Sequence, residues 1–325
     1  MNWMARTTAL LLGAALLLGA PAPVLARQAA APVATPAHAP PVPLLWKVSG
    51  AQGSALYLLG SFHLLTPQDY PLSVDVDKAF DASRRLLFEL SPEEMQAPEL
   101  AARMLRAAVR ADGRQLKDDL DAGTWQRLQA YAGANGLPLE KLAGLKPWFV
   151  GLSISLAQMQ RQGLDAQAGL DRHLMARAAD AGKPAEGLES AAAQIAMLDG
   201  MDAEEQRQLL REALEQVDKG DEQSRRLHDA WRRGDDVTLW RDMAAQMRQD
   251  YPGLYRRINV ERNDAWLAPL RQRLQAGQGT TLVVVGALHL LGEDGVVEKL
   301  RAEGYEVERI CSACAPAGKA NGRNP

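Results

Sequence analysis

Two stretches that lie far apart in this chain are near copies of each other. Residues 55–65 read ALYLLGSFHLL and residues 281–291 read TLVVVGALHLL. Each is a short apolar run followed by Gly-x-x-His and two leucines, and then by a loop, an amphipathic stretch and another apolar run. A duplicated β–Gly-x-x-His–α–β unit puts both histidines, His63 and His289, at equivalent strand ends. Two imidazoles that meet at one edge of a sheet indicate a metal or an acid–base site.

The rest of the pattern predicts an α/β fold with a large helical middle segment. Strand candidates lie at 46–48, 55–59 and 84–90, and residues 98–276 are dominated by Leu and Ala at helical spacing, with one short strand candidate at 184–188. We expect a mixed sheet formed by the N- and C-terminal β-(GxxH)-α-β units. Right-handed connections set the paired strands of each unit parallel, and sites in such sheets lie beyond the carboxyl ends of the strands.

Both chain ends differ in composition from the segment between them. Residues 1–26 are typical of a secretory signal peptide, with a Leu/Ala-rich core at 9–20 and small residues that predict cleavage after Ala26. Residues 27–43 form an Ala/Pro-rich linker, residues 44–310 a single domain with a helical insertion at about 98–276, and residues 311–325 a loose tail. We expect a soluble protein, periplasmic or secreted, with no transmembrane anchor after cleavage.

Charge and cysteine content narrow the possible function classes. The net charge is −3 and no block of Lys and Arg is present, so the chain carries no signature of nucleic-acid binding. Cys311 and Cys314 form a Cys-x-x-Cys pair after the last strand candidate, without a following helix. A redox motif needs that helix, so the pair is interpreted as a clip in the tail or as two free thiols.

Glu89 lies close to the end of the third strand candidate and completes a set of two imidazoles and one carboxylate. Such a set suits zinc, manganese or cobalt and leaves a coordination position for water, which is the arrangement of a catalytic site. The sequence leaves open whether Glu89 is a metal ligand or the general base.

Two further pairs of residues are candidates for the site. When the two repeats are aligned, Glu89 falls opposite Arg309, which suggests one base and one anion-binding group. In a predicted long helix, Arg262 and Asn263 are adjacent; Asn is unfavourable in a helix interior and therefore requires a partner. Arg262 could bind a substrate carboxylate or stabilise an oxyanion.

Taken together, these motifs resemble the TraB/GumN family. The resemblance rests on the paired GSFH and GALH motifs and on LLFELS, KPWFVGLSISL, GLDAQ, GKPAEGLES and ERNDAWL, over nearly all of the mature chain. The family is related to the Tiki membrane proteases and is proposed to share a fold with the haem-binding protein ChaN and the erythromycin esterases. The resemblance implies a metal site formed by His63, His289 and Glu89, with Arg262 and Asn263 in the pocket. It also implies that Asp165 and Glu189 support the site or bind substrate.

The function that the resemblance implies is a metal-dependent hydrolase resembling a metalloprotease, acting on a peptide or another small exported substrate. One alternative is a non-catalytic periplasmic module that binds a peptide, a pheromone or a haem-like ligand through the same histidines. A structural protein with a decayed site is a third possibility, against which the intact motifs argue.

Overall fold

The computed structural model describes residues 39–314, which contain one six-stranded sheet. The predicted signal peptide, residues 27–38 of the predicted linker and the tail from residue 315 lie outside these residues. The strands are β1 (Leu45–Ser49), β2 (Ala55–Ser61), β3 (Arg85–Phe88), β4 (Ala185–Gly187), β5 (Thr280–Gly286) and β6 (Val307–Arg309). Their order in the sheet is β4-β3-β5-β2-β1-β6.

The sheet is mixed and is formed by both chain ends, as the sequence predicts. β4, β3, β5 and β2 run parallel, whereas β1 is antiparallel to both β2 and β6. β5 therefore lies between the two strands of the N-terminal repeat and pairs with both β2 and β3. Its apolar run is almost completely buried, as expected for a central parallel strand covered on both faces.

Most of the middle segment is helical, in agreement with the Leu and Ala spacing. Two predicted helices are interrupted by π-helical turns at Arg241–Ala245 and Arg256–Val260. The α-helices are α1 (Val74–Ala82), α2 (Pro92–Met95), α3 (Leu100–Ala108), α4 (Ala122–Ala134), α5 (Pro147–Arg161), α6 (Leu170–Asp180), α7 (Ala191–Asp199), α8 (Ala203–Lys219), α9 (Glu222–Arg233), α10 (Asp236–Trp240), α11 (Gln246–Asp250), α12 (Pro252–Tyr255), α13 (Glu261–Gln275) and α14 (Val296–Ala302).

The helical segment packs directly on the strand ends that carry the repeated motif. Trp231 of α9 is fully buried, contacts Phe62 and donates an indole hydrogen bond of 3.0 Å to the carbonyl of Gly60. A buried indole nitrogen needs such a partner. This contact joins the helical segment to the first repeat.

Both ends of the described chain contact the domain. Pro41 and Pro43, in the predicted linker, are buried, and the backbone N–H of Val42 donates to the carbonyl of Arg232. Cys311 and Cys314 form a disulfide, and the adjacent backbone N–H of Ser312 donates to Asp75. No helix within residues 39–314 has the length and apolar character that crossing a membrane requires.

Candidate active site

The two GxxH motifs (residues 60–63 and 286–289) meet because β2 and β5 are neighbouring parallel strands. Ser61 is opposite Gly286 in the register of this pair, so both motifs begin at the same edge of the sheet. His63 lies in the loop after β2, and His289 lies in the 3-10 turn Ala287–Leu290 after β5. Both histidines are almost completely buried.

The glycine of each motif allows the other motif to approach. A side-chain carbon at Gly60 would lie 3.2 Å from the Cα atom of Ala287. At Gly286 it would lie 3.3 Å from Nε2 of His63 and 3.2 Å from Oε1 of Glu89. The lack of a Cβ at these two positions lets the backbone and the polar groups pack at close range.

His63 is oriented by a residue of α6. Its Nδ1 atom lies 2.7 Å from Oδ2 of Asp171, whose other oxygen accepts a hydrogen bond from the Ser61 hydroxyl at 3.1 Å. In the neutral ring, the carboxylate selects the tautomer with hydrogen on Nδ1, and the lone pair is then on Nε2. That Nε2 atom is buried and has no hydrogen-bond partner within residues 39–314.

His289 is oriented in the same way by an amide. Its Nδ1 atom lies 2.7 Å from Oδ1 of Asn263, and Nδ2 of Asn263 donates to the carbonyl of Asp294 at 2.8 Å. Because this second bond identifies the Asn263 nitrogen, Oδ1 is the acceptor and His289 carries its hydrogen on Nδ1. Its Nε2 lone pair then accepts a hydrogen bond from Nη1 of Arg262 at 3.0 Å.

Glu89 lies between the two imidazoles. Its Oε1 atom is 3.8 Å from Nε2 of His63 and 3.8 Å from Nε2 of His289, and it accepts the backbone N–H of Gly286 at 2.8 Å. Burial disfavours the ionised carboxylate, but Arg262, the two histidines and the Gly286 N–H together outweigh burial and lower the pKa of Glu89 to about 2. Glu89 is therefore ionised at neutral pH.

Arg262 forms ion pairs with two carboxylates inside the site. Its Nη2 atom lies 2.5 Å from Oε2 of Glu89, and its Nε and Nη2 atoms form ion pairs with Glu189. Glu189 is fixed in turn by Gln194 at 2.7 Å. Buried charges require this kind of pairing, so Glu89, Arg262 and Glu189 act as one unit.

Arg262 and Asp171 act differently on the two histidines. Burial lowers the pKa of both rings. For His63, the Asp171 carboxylate overcomes burial and raises the pKa above its ordinary value. For His289, the nearby Arg262 guanidinium adds to burial, and the pKa falls to about 3. The site thus holds a neutral His289 at physiological pH.

The donor chemistry at these strand ends fits a divalent transition metal. Two imidazole Nε2 lone pairs and one carboxylate are the preferred ligand types, and each Nδ1–H is held by a second residue, as metal-binding histidines usually are. Ligands of one zinc ion bind at about 2.0–2.2 Å, so two of them lie at most about 4.4 Å apart. The two separations of 3.8 Å satisfy that limit.

These three side chains do not by themselves form a closed set of metal ligands. Within residues 39–314, no three His, Cys, Asp or Glu side chains are gathered as a ready metal-binding group. To bind a metal, His289 would have to release the hydrogen bond that its Nε2 atom accepts from Nη1 of Arg262. The other two proposed ligand atoms need no such change, because Nε2 of His63 has no hydrogen bond within residues 39–314 and Arg262 contacts Oε2 of Glu89, not Oε1.

Two residues that the sequence analysis selected lie away from this centre. Arg309 is on β6, which pairs with β1 at the far edge of the sheet; its guanidinium stacks on Trp46 and donates to the carbonyl of Gly234. The structure therefore does not bring Arg309 and Glu89 together, because β5, β2 and β1 lie between β3 and β6 in the sheet. Asp165 is exposed, and its side chain caps the 3-10 turn Ala166–Ala168.

Asp171 was not among the site residues predicted from the sequence. It lies within the segment 98–276 that was predicted to be helical, but its side chain was assigned no role. The sequence did contain a signal. Asp171 follows the glycine-containing segment 163–170 and lies in the first turn of a helix, where a carboxylate can face the end of a strand. The structure adds the decisive contact, in which the Leu170 N–H donates to the carbonyl of Phe62 and brings the start of α6 beside His63.

Comparisons with known proteins show the family to which this chain belongs. A family model described as the TraB/PrgY/gumN family matches residues 44–309. A protein of Escherichia coli (strain K12) named "Uncharacterized protein YbaP" is 26% identical over 257 residues, which cover 75% of this chain and 87% of that protein. A protein of Shigella flexneri with the same name has the same identity and coverage. No solved structure matches this chain.

Proposed function

Because this chain belongs to the TraB/PrgY/gumN family, we propose that it is an exported hydrolase in which His63, His289 and Glu89 hold a divalent transition metal. Zinc, manganese and cobalt all suit these ligands. One observation carries the proposal: two buried imidazoles direct their Nε2 atoms toward the same oxygen of Glu89. The proposed substrate is a peptide or another small molecule with a hydrolysable acyl bond, encountered in the periplasm or outside the cell.

The metal, when bound, would polarise the bond to be cleaved and lower the pKa of a water molecule. Glu89 suits the role of ligand better than that of general base. A general base works best when its pKa is near the operating pH, whereas the pKa of Glu89 is about 2. Its carboxylate is thus a fixed negative charge whose pKa is too low for efficient proton transfer at neutral pH.

Arg262 is suited to stabilising negative charge on the substrate. Two of its guanidinium nitrogens are held by Glu89 and Glu189, which fix its plane. Nη1 makes only a contact of 3.4 Å to the carbonyl of Ile258 and the hydrogen bond to His289. With His289 holding a metal, Nη1 would be free to donate to an oxyanion, a role in which one fixed donor is worth about 2.7–4 kcal/mol.

Burial of the centre excludes bulk water and defines the direction of approach. The side chains of His63 and Glu89 are 0% exposed, whereas those of Arg262 and Glu189 are 8% and 14% exposed. Substrate therefore approaches from the side of Arg262 and Glu189. In so dry a site, electrostatic interactions are stronger than in water.

The decisive experiment measures metal content and hydrolysis together. Mature protein prepared without chelator is compared with His63→Ala, His289→Ala and the matched control His173→Ala, which removes a histidine whose ring contacts Tyr70 outside the centre. We expect near-stoichiometric metal in the wild type and the control, and loss of metal and of peptide hydrolysis in the other two variants. Full metal occupancy in either His63→Ala or His289→Ala would overturn the proposal.

The same experiment separates two other functions. Arg262 already supplies a buried cation to Glu89 and His289. Hydrolysis by metal-free protein that is lost in the histidine variants would therefore favour acid–base chemistry assisted by Arg262. Retained affinity of metal-free protein for a peptide or haem-like ligand, without turnover, would instead favour a binding module.

A further inference from the structure

We propose that a groove between α2 and α6, beside the free edge of β4, binds the carboxylate of a peptide through Arg172. This inference names a chemical group of the substrate of the proposed hydrolase. It rests on the proposed function only in assuming that the bound peptide is the molecule that is cleaved. The groove has a volume of about 550 Å³. Sites for small molecules have volumes of about 300–1,000 Å³.

The walls of the groove are mostly apolar. Met95 of α2 and Met175 of α6 are buried side chains in its lining, and Ala176, Ala179 and Pro184 extend the apolar surface. Methionine adapts its shape to varied partners. This lining suits the side chains of a peptide without selecting one of them.

Arg172 is the unusual group in this groove. It lies in the first turn of α6 and is half-buried, yet within residues 39–314 its guanidinium makes no hydrogen bond or ion pair. Burial lowers the pKa of Arg172, and the negative charges of Asp171 and Asp165 oppose that effect without reversing it. A partly buried cation without a partner is unfavourable, and an incoming carboxylate would relieve that cost with a bidentate pair.

The other charged groups of the groove do not take this role. Lys183 donates to the carbonyls of Phe80 and Ser83, so its ammonium group is committed to the end of α1. Glu93 is exposed and makes no ion pair with Arg172. Arg172 is therefore the cation of the groove that remains available to an anion.

The edge of β4 provides backbone groups for an extended peptide. β4 is the terminal strand of the sheet. Leu86 donates to the carbonyl of Pro184 and Leu188 donates to that of Phe88. Because bonding residues alternate along a strand, Ala185 and Gly187 point their backbone groups away from β3. Free strand edges accept an additional strand from a peptide.

The groove lies next to the reaction centre. Arg172 follows Asp171, which orients His63, and Pro92 of the groove is three residues after Glu89. Three residues of extended chain span at most about 11 Å. When the carboxylate of a peptide binds Arg172, a peptide bond two or three residues before that carboxylate is within reach of the proposed metal centre. Cleavage there would remove a short fragment from the carboxyl end of the peptide.

Binding of three matched peptides tests the inference. The probes are N-acetyl-Leu-Ala-Leu-Ala as free acid, the same peptide as carboxamide, and N-acetyl-Leu-Ala-Glu-Ala carboxamide. Binding is measured by calorimetry on the His63→Ala chain, which prevents turnover, with and without Arg172→Ala, Arg172→Lys or the control Arg225→Ala. Arg225 is a well-exposed arginine of α9.

We expect the free acid to bind at least about tenfold more tightly than the carboxamide, since a charge-assisted hydrogen bond is worth that factor or more. Arg172→Ala removes the preference, Arg172→Lys retains part of it, and Arg225→Ala leaves it intact. If the Glu-containing carboxamide binds as well as the acid, the carboxylate comes from a side chain; if it does not, it comes from the carboxyl terminus.

Equal affinity for acid and carboxamide, a preference that survives Arg172→Ala, or no binding at millimolar peptide would overturn the inference. Metal content is measured on the same Arg172 variants made in the wild-type background. A carboxylate preference in a wild-type chain that binds no metal would sustain the groove and reject the proposed metal centre. Metal-dependent hydrolysis without any carboxylate preference would sustain the proposed metal centre and reject the groove.

Discussion

The Nδ1 atom of His63 lies 2.7 Å from Oδ2 of Asp171, a residue 108 positions further along the chain. The contact joins the first strand repeat to the helical segment and fixes the tautomer of the imidazole. It is the carboxylate–histidine arrangement that supports metal ligands in proteins. Asp171 contacts the Nδ1 atom of His63 and not the Nε2 atom that would hold a metal, and it therefore acts by positioning His63.

Asp171→Ala should weaken metal binding by about 10–100-fold, which is the usual effect of removing such a supporting group. The ring of His63 would lose its hydrogen-bond acceptor at Nδ1 and with it the preference for one tautomer. Competition with a metal chelator measures the affinity, and long-range nitrogen NMR identifies the tautomer. Ser61→Ala, which removes only the hydroxyl on the other oxygen of Asp171, should have a smaller effect. Unchanged affinity and tautomer in Asp171→Ala would contradict this role.

Gly286→Ala should block metal binding while the chain remains folded. The added methyl group would lie 3.2 Å from Oε1 of Glu89 and 3.3 Å from Nε2 of His63, between two proposed ligands. The backbone of Gly286 has a φ of −49°, which alanine adopts. Cobalt absorption spectra report the occupancy, and circular dichroism reports the fold. The control is Gly133→Ala in α4, where a methyl group meets nothing within 4 Å; normal cobalt uptake by Gly286→Ala would refute the geometry.

Arg262→Ala should lower the free energy of unfolding by about 3–5 kcal/mol, because it leaves Glu89 and Glu189 as uncompensated charges. Glu189→Gln should cost less, since Arg262 keeps its ion pair with Glu89. Urea unfolding at neutral pH measures both values. A divalent metal should restore part of the stability of Arg262→Ala, because it supplies positive charge at Glu89. Equal stabilities of Arg262→Ala and the wild type would show that the buried ion pairs contribute nothing.

Asp69 should make the stability depend on acid pH. Burial opposes ionisation of Asp69, but hydrogen bonds from His228 and Thr66 outweigh it and lower the pKa from 3.8 to about 2. The folded state thus favours the ionised form, and its contribution is complete above about pH 4 and lost as the pH falls toward 2. Each pKa unit corresponds to about 1.4 kcal/mol, which gives roughly 2 kcal/mol here.

Comparison of Asp69→Asn with the wild type tests this linkage. The difference in unfolding free energy should shrink by roughly 2 kcal/mol between about pH 6 and pH 2. Asp180→Asn, which alters an exposed carboxylate of α6, should show no such trend. A difference between Asp69→Asn and the wild type that stays constant over this pH range would rule out the proposed contribution.

Much of the fold followed from local pattern. The apolar runs and Gly-x-x-His signatures predicted strands that end at one edge of a sheet, and the Leu and Ala spacing predicted the helical segment. These features depend on residues that are close in the chain. The position of β5 between β2 and β3 could not be predicted from local sequence patterns, because strand order depends on how the two chain ends pack together.

The sequence by itself determined that His63, His289 and Glu89 belong at neighbouring strand ends, since a repeated strand motif carries its histidine to the same position each time. Only the tertiary structure decided which groups surround them. Asp171 and Asn263 became partners of the two rings, Arg262 became the cation shared by Glu89 and Glu189, and Arg309 was carried to the opposite edge of the sheet. The reason is physical: contacts between residues far apart in the chain are set by the packing of whole helices and strands, and no local spacing encodes that packing.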